Sequence, residues 1–248
     1  MDRSEISHLA HAEHPVAAPV SDHRVRQLVA RLAPPPGGRA VDLGCGQGAW
    51  LTTVAAAHPG ARCTGLDTSA PALAAARASA ARSGVQAEWV HGDAATWDGG
   101  PYDAVLCVGV SHVFGGLDGT LAAARRLLTP GGQVLLGDSI WERPPSEAAQ
   151  QALDAGPDDY PSLAGLVERV QASGFEVLDG HVSSLQEWDD YEWAWTGALV
   201  RWATSQAGTA ADRAAVLEVA RSHRSGWLSG YRRELGFACL VLQDLGSR

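Results

Sequence analysis

Short apolar runs alternate with longer stretches of helical periodicity through most of the chain. "RAVDL" (39–43), "RCTGLD" (62–67), "QAEWVHGD" (86–93), "YDAVLCVGV" (102–110), "QVLLGDS" (133–139), "FEVLDGHVSS" (175–184) and "GFACLVLQ" (236–243) read as strands. Most are near-continuously apolar, which suits strands covered on both faces. Between them, 48–58, 70–84, 117–132 and 162–174 carry helical spacing, and Gly84 and a Pro-Gly-Gly run supply stops. In 21–32, Val25, Leu28, Val29 and Leu32 form one apolar stripe, with Ser21 or Asp22 as cap, and "APPPGG" (33–38) ends it. This strand–helix rhythm predicts an α/β fold with a mostly parallel sheet and helices on both faces.

The rhythm breaks between the sixth and last strands. Residues 186–234 hold two long helical stretches, far more than a compact hairpin needs, and read as an inserted helical cap. The expected organisation is therefore an N-terminal lid segment and helix (1–33), a core (34–185), the cap (186–234) and the final core strand (235–248).

Charge narrows the function. With 19 basic against 28 acidic residues and a net charge of −9, the chain lacks the basic cluster that phosphate-backbone binding requires, so no nucleic-acid partner is expected. Cys45, Cys63, Cys107 and Cys239 form no CxxC pair and read as reduced, buried thiols. The N-terminus has no signal-peptide core and no run is long and apolar enough to span a membrane, so a cytoplasmic protein without a membrane partner is expected.

The chemistry gathers at "VDLGCGQG" (41–48). Gly44, Gly46 and Gly48 follow the first strand, and Asp67 ends the second, where an acid accepts ribose hydroxyls. That much suits either a nicotinamide dinucleotide or S-adenosylmethionine. Asp42 separates them, because an acid beside the loop repels a pyrophosphate but attracts the ammonium of a methionine moiety. In "HGDA" (91–94), Asp93 can accept from an adenine amine and the Ala94 N–H can donate to a ring nitrogen.

Taken together, "VDLGCGQG", "GLDTS", "HGDA" and "LTPGGQVLLGD" resemble the successive motifs of the class I S-adenosylmethionine-dependent methyltransferases over residues 38–139. The resemblance implies a Rossmann-like seven-stranded sheet of order 3-2-1-4-5-7-6 with strand 7 antiparallel, and S-adenosyl-L-methionine as cofactor. By it, Asp42 and the loop of Gly44, Cys45, Gly46 and Gly48 hold the methionine end and Asp67 the ribose. Gly92, Asp93 and Ala94 hold the adenine, and Val108 completes the set. Thr68 either stacks near the adenine, or the next helix is capped through Thr68 or Ser69.

Methyl transfer needs a nucleophile held in line, and a base only where the nucleophile must lose a proton. His112, just past the fourth strand, is the candidate base, with orientation of the cofactor carboxylate as its alternative role. His14 is placed in the lid. Trp141 and the stripe of Trp188, Tyr191 and Trp195 offer an aromatic wall for a small acceptor, or else simply attach the cap. "DDYE" (189–192) either attracts a cation or complements a helix dipole. His8, His11 and His14 are evenly spaced, but no carboxylate or cysteine joins them, so no metal is expected. The expected activity is methyl transfer to an unidentified small molecule. A non-catalytic cofactor-binding protein and a nicotinamide-dependent oxidoreductase are the alternatives; the second is disfavoured because the chain has no lysine. A homodimer is left open.

Overall fold

Seven strands, β1 (Arg39–Leu43), β2 (Arg62–Asp67), β3 (Glu88–His91), β4 (Tyr102–Val108), β5 (Leu128–Trp141), β6 (Phe175–Val182) and β7 (Leu235–Asp244), form one sheet in the order β3-β2-β1-β4-β5-β7-β6. The structure, a computed structural model, describes residues 3–246. β1 lies parallel to both β2 and β4, and β6 and β7 pair antiparallel. Ala40, Val41 and Leu43 of β1 and Ala104, Val105, Leu106 and Cys107 of β4 are wholly buried, as central strands covered on both faces must be.

Nine α-helices lie among the described residues: α1 (Arg3–Ala10), α2 (Asp22–Val29), α3 (Ala49–Ala57), α4 (Ala70–Ser83), α5 (Leu117–Leu127), α6 (Glu147–Leu153), α7 (Leu163–Ala172), α8 (Leu185–Ser205) and α9 (Ala210–Gly226). Ser69, Ser146 and Thr209 cap α4, α6 and α9 through side-chain oxygens. Ser184 and Glu187 form a reciprocal capping box on α8.

Three local outcomes differ from the sequence pattern. α5 ends at Leu127, and "LTPGG" joins β5, with Leu128 opposite Tyr102. Pro130 disfavours helix in the residue before it, which accounts for the early stop. α1 and α6 are helices the apolar periodicity did not announce. α9 runs into a π-helical turn, Trp227–Tyr231.

The chain divides into two units. A sheet unit takes Ser21–Asp138, Ala164–Val182 and Phe237–Arg248, and a helical unit takes Met1–Val20, Ser139–Leu163 and Ser183–Gly236. The division falls elsewhere than the sequence boundaries: α2 belongs with the sheet, and the segment 139–163 with the cap helices. In the helical unit, Ala10 of α1 packs with Leu199 and Ala203 of α8 and Val216 and Ala220 of α9, all buried. Apolar burial, with the Glu13–Arg201 ion pair, holds the N-terminal segment on α8.

Candidate active site

The sheet unit assembles a glycine loop between the ends of β1 and β2. Gly44, Gly46 and Gly48 all adopt positive φ (72°, 51° and 76°), a region glycine enters without steric cost. Their surroundings differ. A Cβ on Gly44 would lie 2.5 Å from Val110, and one on Gly48 would lie 2.3 Å from the Trp89 ring, whereas one on Gly46 would meet nothing within 4 Å. Two of the glycines therefore let the protein pack on itself, and Gly46 leaves its face open to a ligand.

Asp67 organises this loop. Its Oδ2 accepts from the Gly46 N–H at 2.8 Å and its Oδ1 from the Ser69 N–H at 2.8 Å, and a carboxylate keeps lone pairs for ribose hydroxyls. Ser69, and not Thr68, caps α4; the Thr68 carbonyl instead accepts from His91 Nε2 at 2.8 Å. Asp42 is 2% exposed and its Oδ2 has no hydrogen-bond partner among the described residues. Burial, with Asp67 nearby, pushes its pKa up to about 8. A buried acceptor left unpaired is costly, and an ammonium donor would satisfy it. The residues thus fit the methionine end of S-adenosylmethionine.

Gly92, Asp93 and Ala94, the expected adenine contacts, follow the end of β3. Asp93 is exposed and spends Oδ1 on the Ala95 N–H at 2.9 Å, capping a short 3-10 helix, Ala94–Thr96. Its other oxygen remains for a ligand. Cys45 is buried, and burial together with Asp42 and Asp67 pushes its thiol far above the ordinary range, so it lines the loop as an inert group. Val108, half-buried, ends β4.

Past β4, Ser111–Phe114 forms a 3-10 helix on which His112 is exposed. Its neighbour Ser111 donates to Asp138 at 2.9 Å, and Asp138, at 8% exposure, closes the sheet unit's part of β5. Neither residue was marked by the sequence pattern, although "GDS" (137–139) carries an acid late in a strand as "HGDA" does just after one.

The helical unit carries the remaining predicted residues. The Tyr191 ring packs at near right angles to His14 (ring centroids 5.4 Å apart) and Trp188 (6.1 Å), and its hydroxyl meets His11 Nε2 at 3.0 Å. Trp195 stacks on His223 at 3.9 Å. Trp141 is 6% exposed, its indole N–H donating to the Gly156 carbonyl at 3.2 Å and its ring edge-on to Tyr160. "DDYE" is spent internally: Asp189 pairs with Arg232, and Glu192, 1% exposed, accepts from Tyr231 Oη and His223 Nε2, both at 2.7 Å. The sequence pattern did not bring His11, Glu192, His223 and Tyr231 together; only the histidine run and the acidic cluster pointed to two of them.

Residues 40–132 match the family model described as "Methyltransferase domain". The chain is 32% identical over 207 residues to protein YjhP of Escherichia coli, covering 82% of this chain and 83% of that one. It is 29% identical over 237 residues to trans-aconitate 2-methyltransferase of Paracidovorax citrulli, covering 90% and 88%. The structure of an S-adenosylmethionine-dependent methyltransferase from Thiobacillus denitrificans, in complex with S-adenosyl-L-homocysteine, superposes with a TM-score of 0.86 at 30% identity over 98% of this chain and 99% of that one. The glycine loop, the Asp42 Oδ2 left without a partner among the described residues, the strand order and these likenesses meet in one conclusion: the chain belongs to the class I S-adenosylmethionine-dependent methyltransferases and takes its methyl group from S-adenosylmethionine.

Proposed function

We propose that the acceptor is a small organic molecule bound by the helical unit through His14, Tyr191 and Trp195. The observation that carries this is the convergence of His11, His14 and Trp188 on the single ring of Tyr191. Aromatic walls with few polar groups are how proteins orient small ligands. A relative named for trans-aconitate, of similar length, supports an acceptor of that size. Trp141, with its N–H committed, supports the wall and supplies no polar contact.

On the cofactor side we assign Asp42 and the glycine loop to the methionine end, Asp67 to the ribose, and Gly92, Asp93 and Ala94 to the adenine, with Thr68 and Val108 beside them. His112, exposed at the end of β4, serves the acceptor or the cofactor carboxylate. His112→Gln separates the two, since loss of a base lowers kcat and loss of a carboxylate contact raises the cofactor KM. The reading includes a cytoplasmic protein whose N-terminal segment acts as a lid; a homodimer is decided by light scattering.

The experiment is transfer of labelled methyl from S-adenosylmethionine to a panel of small acceptors, for wild type, His14→Ala and Trp195→Ala. Acceptor KM should rise in both variants while cofactor affinity holds. Unchanged acceptor KM in both would place the acceptor elsewhere.

A further inference from the structure

The hydrogen bonds around Tyr191 have a fixed direction. His11 Nδ1 lies 2.8 Å from the Ser7 carbonyl oxygen, which can only accept, so Nδ1 carries the ring proton. The neutral ring then offers Nε2 as an acceptor, and Tyr191 must be the donor across the 3.0 Å between them. The ring is kept neutral by burial, and by the like charge that His14, His223 and His8 would present, against the opposing pull of the Ser7 carbonyl. With its one proton committed, the Tyr191 oxygen presents only lone pairs to anything else.

The same holds for Tyr231, whose proton goes to Glu192 at 2.7 Å. Trp188 lies edge-on to both tyrosines, at 6.1 and 6.4 Å. It is 7% exposed, and its indole N–H has no hydrogen-bond partner among the described residues. The cluster therefore combines tyrosine oxygens that can only accept with an indole N–H that can only donate. A carboxylate satisfies the second and is repelled by the first. An ammonium does the reverse. A hydroxyl satisfies both.

We infer that the acceptor of this methyltransferase carries a hydroxyl, which donates to Tyr191 and loses its proton through Tyr191 to His11. As the acceptor oxygen attacks, the O–CH3 bond forms and the S–CH3 bond breaks, its electron pair staying on sulfur. The hydroxyl proton passes to the Tyr191 oxygen while the proton held there passes to His11 Nε2. Tyr191 ends neutral, and His11 ends as an imidazolium still donating from Nδ1 to Ser7. Tyr191 is the catalytic residue, and His11 acts through it. The inference rests on the reading that the helical unit binds the acceptor.

The test begins with binding, in the presence of saturating S-adenosylhomocysteine, of phenol, benzylamine and benzoate to wild type, Tyr191→Phe, His11→Gln and Trp195→Ala. Phenol should bind best, weakened about tenfold by Tyr191→Phe, the loss of one hydrogen bond, and unaffected by His11→Gln. In methyl transfer to hydroxyl acceptors, His11→Gln should lower kcat about a hundredfold or more at unchanged KM. Added imidazole should restore part of the rate to His11→Ala, which a merely structural histidine would not allow. Equal or tighter binding of benzoate or benzylamine, no phenol binding, or indifference to Tyr191→Phe overturns the inference. If Trp195→Ala weakens phenol and Tyr191→Phe does not, the hydroxyl relay fails and the acceptor site stands. If no variant matters, the acceptor site itself fails.

Discussion

The backbone N–H of Gly46 donates to Asp67 Oδ2 at 2.8 Å, joining residues 21 positions apart. The carboxylate that ends β2 thus holds the loop that follows β1, while its Oδ1 holds the Ser69 N–H at the start of α4. Asp67→Ala should therefore cost about 1–3 kcal/mol of stability for two lost charge-assisted bonds. If Asp67 takes the ribose as proposed, its effect on S-adenosylmethionine affinity should be larger, tenfold or more, because the loop and the ribose contact would go together. Asp67→Asn, which can replace only part of the pattern, should fall between. Calorimetric titration beside thermal unfolding separates the two losses.

Gly46 and Gly48 should fail in different ways. Alanine at Gly48 drives a Cβ to 2.3 Å from the Trp89 ring and 2.9 Å from Ala76, so Gly48→Ala should chiefly lower Tm. Alanine at Gly46 meets nothing within 4 Å but sits at φ 51°, at a cost of roughly 1–2 kcal/mol. Gly46→Ala should spare most of the stability and lose cofactor binding disproportionately, measured as the ratio of Kd change to Tm change.

Asp42 gives the site a pH dependence. An acid whose folded pKa is raised, here from 3.8 to about 8, stabilises the fold fully below the lower value and loses that contribution as pH rises through the upper. Free protein should thus weaken between those limits as pH increases. With Asp42 at the methionine end as proposed, cofactor binding runs the opposite way, because pairing with an ammonium requires the ionised carboxylate. Affinity should rise with pH toward about 8, approaching tenfold per pH unit, with net proton release seen as buffer-dependent binding enthalpy. Asp42→Asn should abolish both trends.

Glu192 is the buried charge of the helical unit, and its two oxygens are met by Tyr231 and His223 at 2.7 Å each. Tyr231→Phe strips one donor from a carboxylate only 1% exposed, so it should cost about 1–3 kcal/mol. Glu192→Gln should cost less than Glu192→Ala, since the amide oxygen still accepts from one of the two. A double-mutant cycle between positions 192 and 231 should show coupling well above that of a surface pair.

The four thiols should be chemically silent in the folded state. Cys45, Cys63, Cys107 and Cys239 are all buried, and burial raises Cys63 to about 11 and Cys45 and Cys107 further. A thiol reagent should titrate none of them natively and all four in denaturant. A fast-reacting native thiol would contradict this.

Much of the sheet was legible in the chain. β1 and β2 occupy the segments their apolar runs marked, because a central parallel strand covered on both faces must be apolar throughout. Asp42 stood out there as an acid in an apolar run, and Asp67 as an acid where one ended. The early end of α5 was less legible, because "LAAARRLLTPGG" keeps helical spacing until Pro130 and the pairing of Leu128 with Tyr102 decide otherwise.

Local pattern in the chain marks the strands and the glycine loop after β1, and the resemblance its motifs carry implies the strand order that the sheet adopts. The fold alone shows which loop glycine faces open space, that Asp42 Oδ2 has no partner among the described residues, and that His11 meets Tyr191 across 180 residues of chain. Periodicity reports which face of an element is buried. A hydrogen bond's direction depends instead on which groups the fold brings within reach, and no local pattern encodes that.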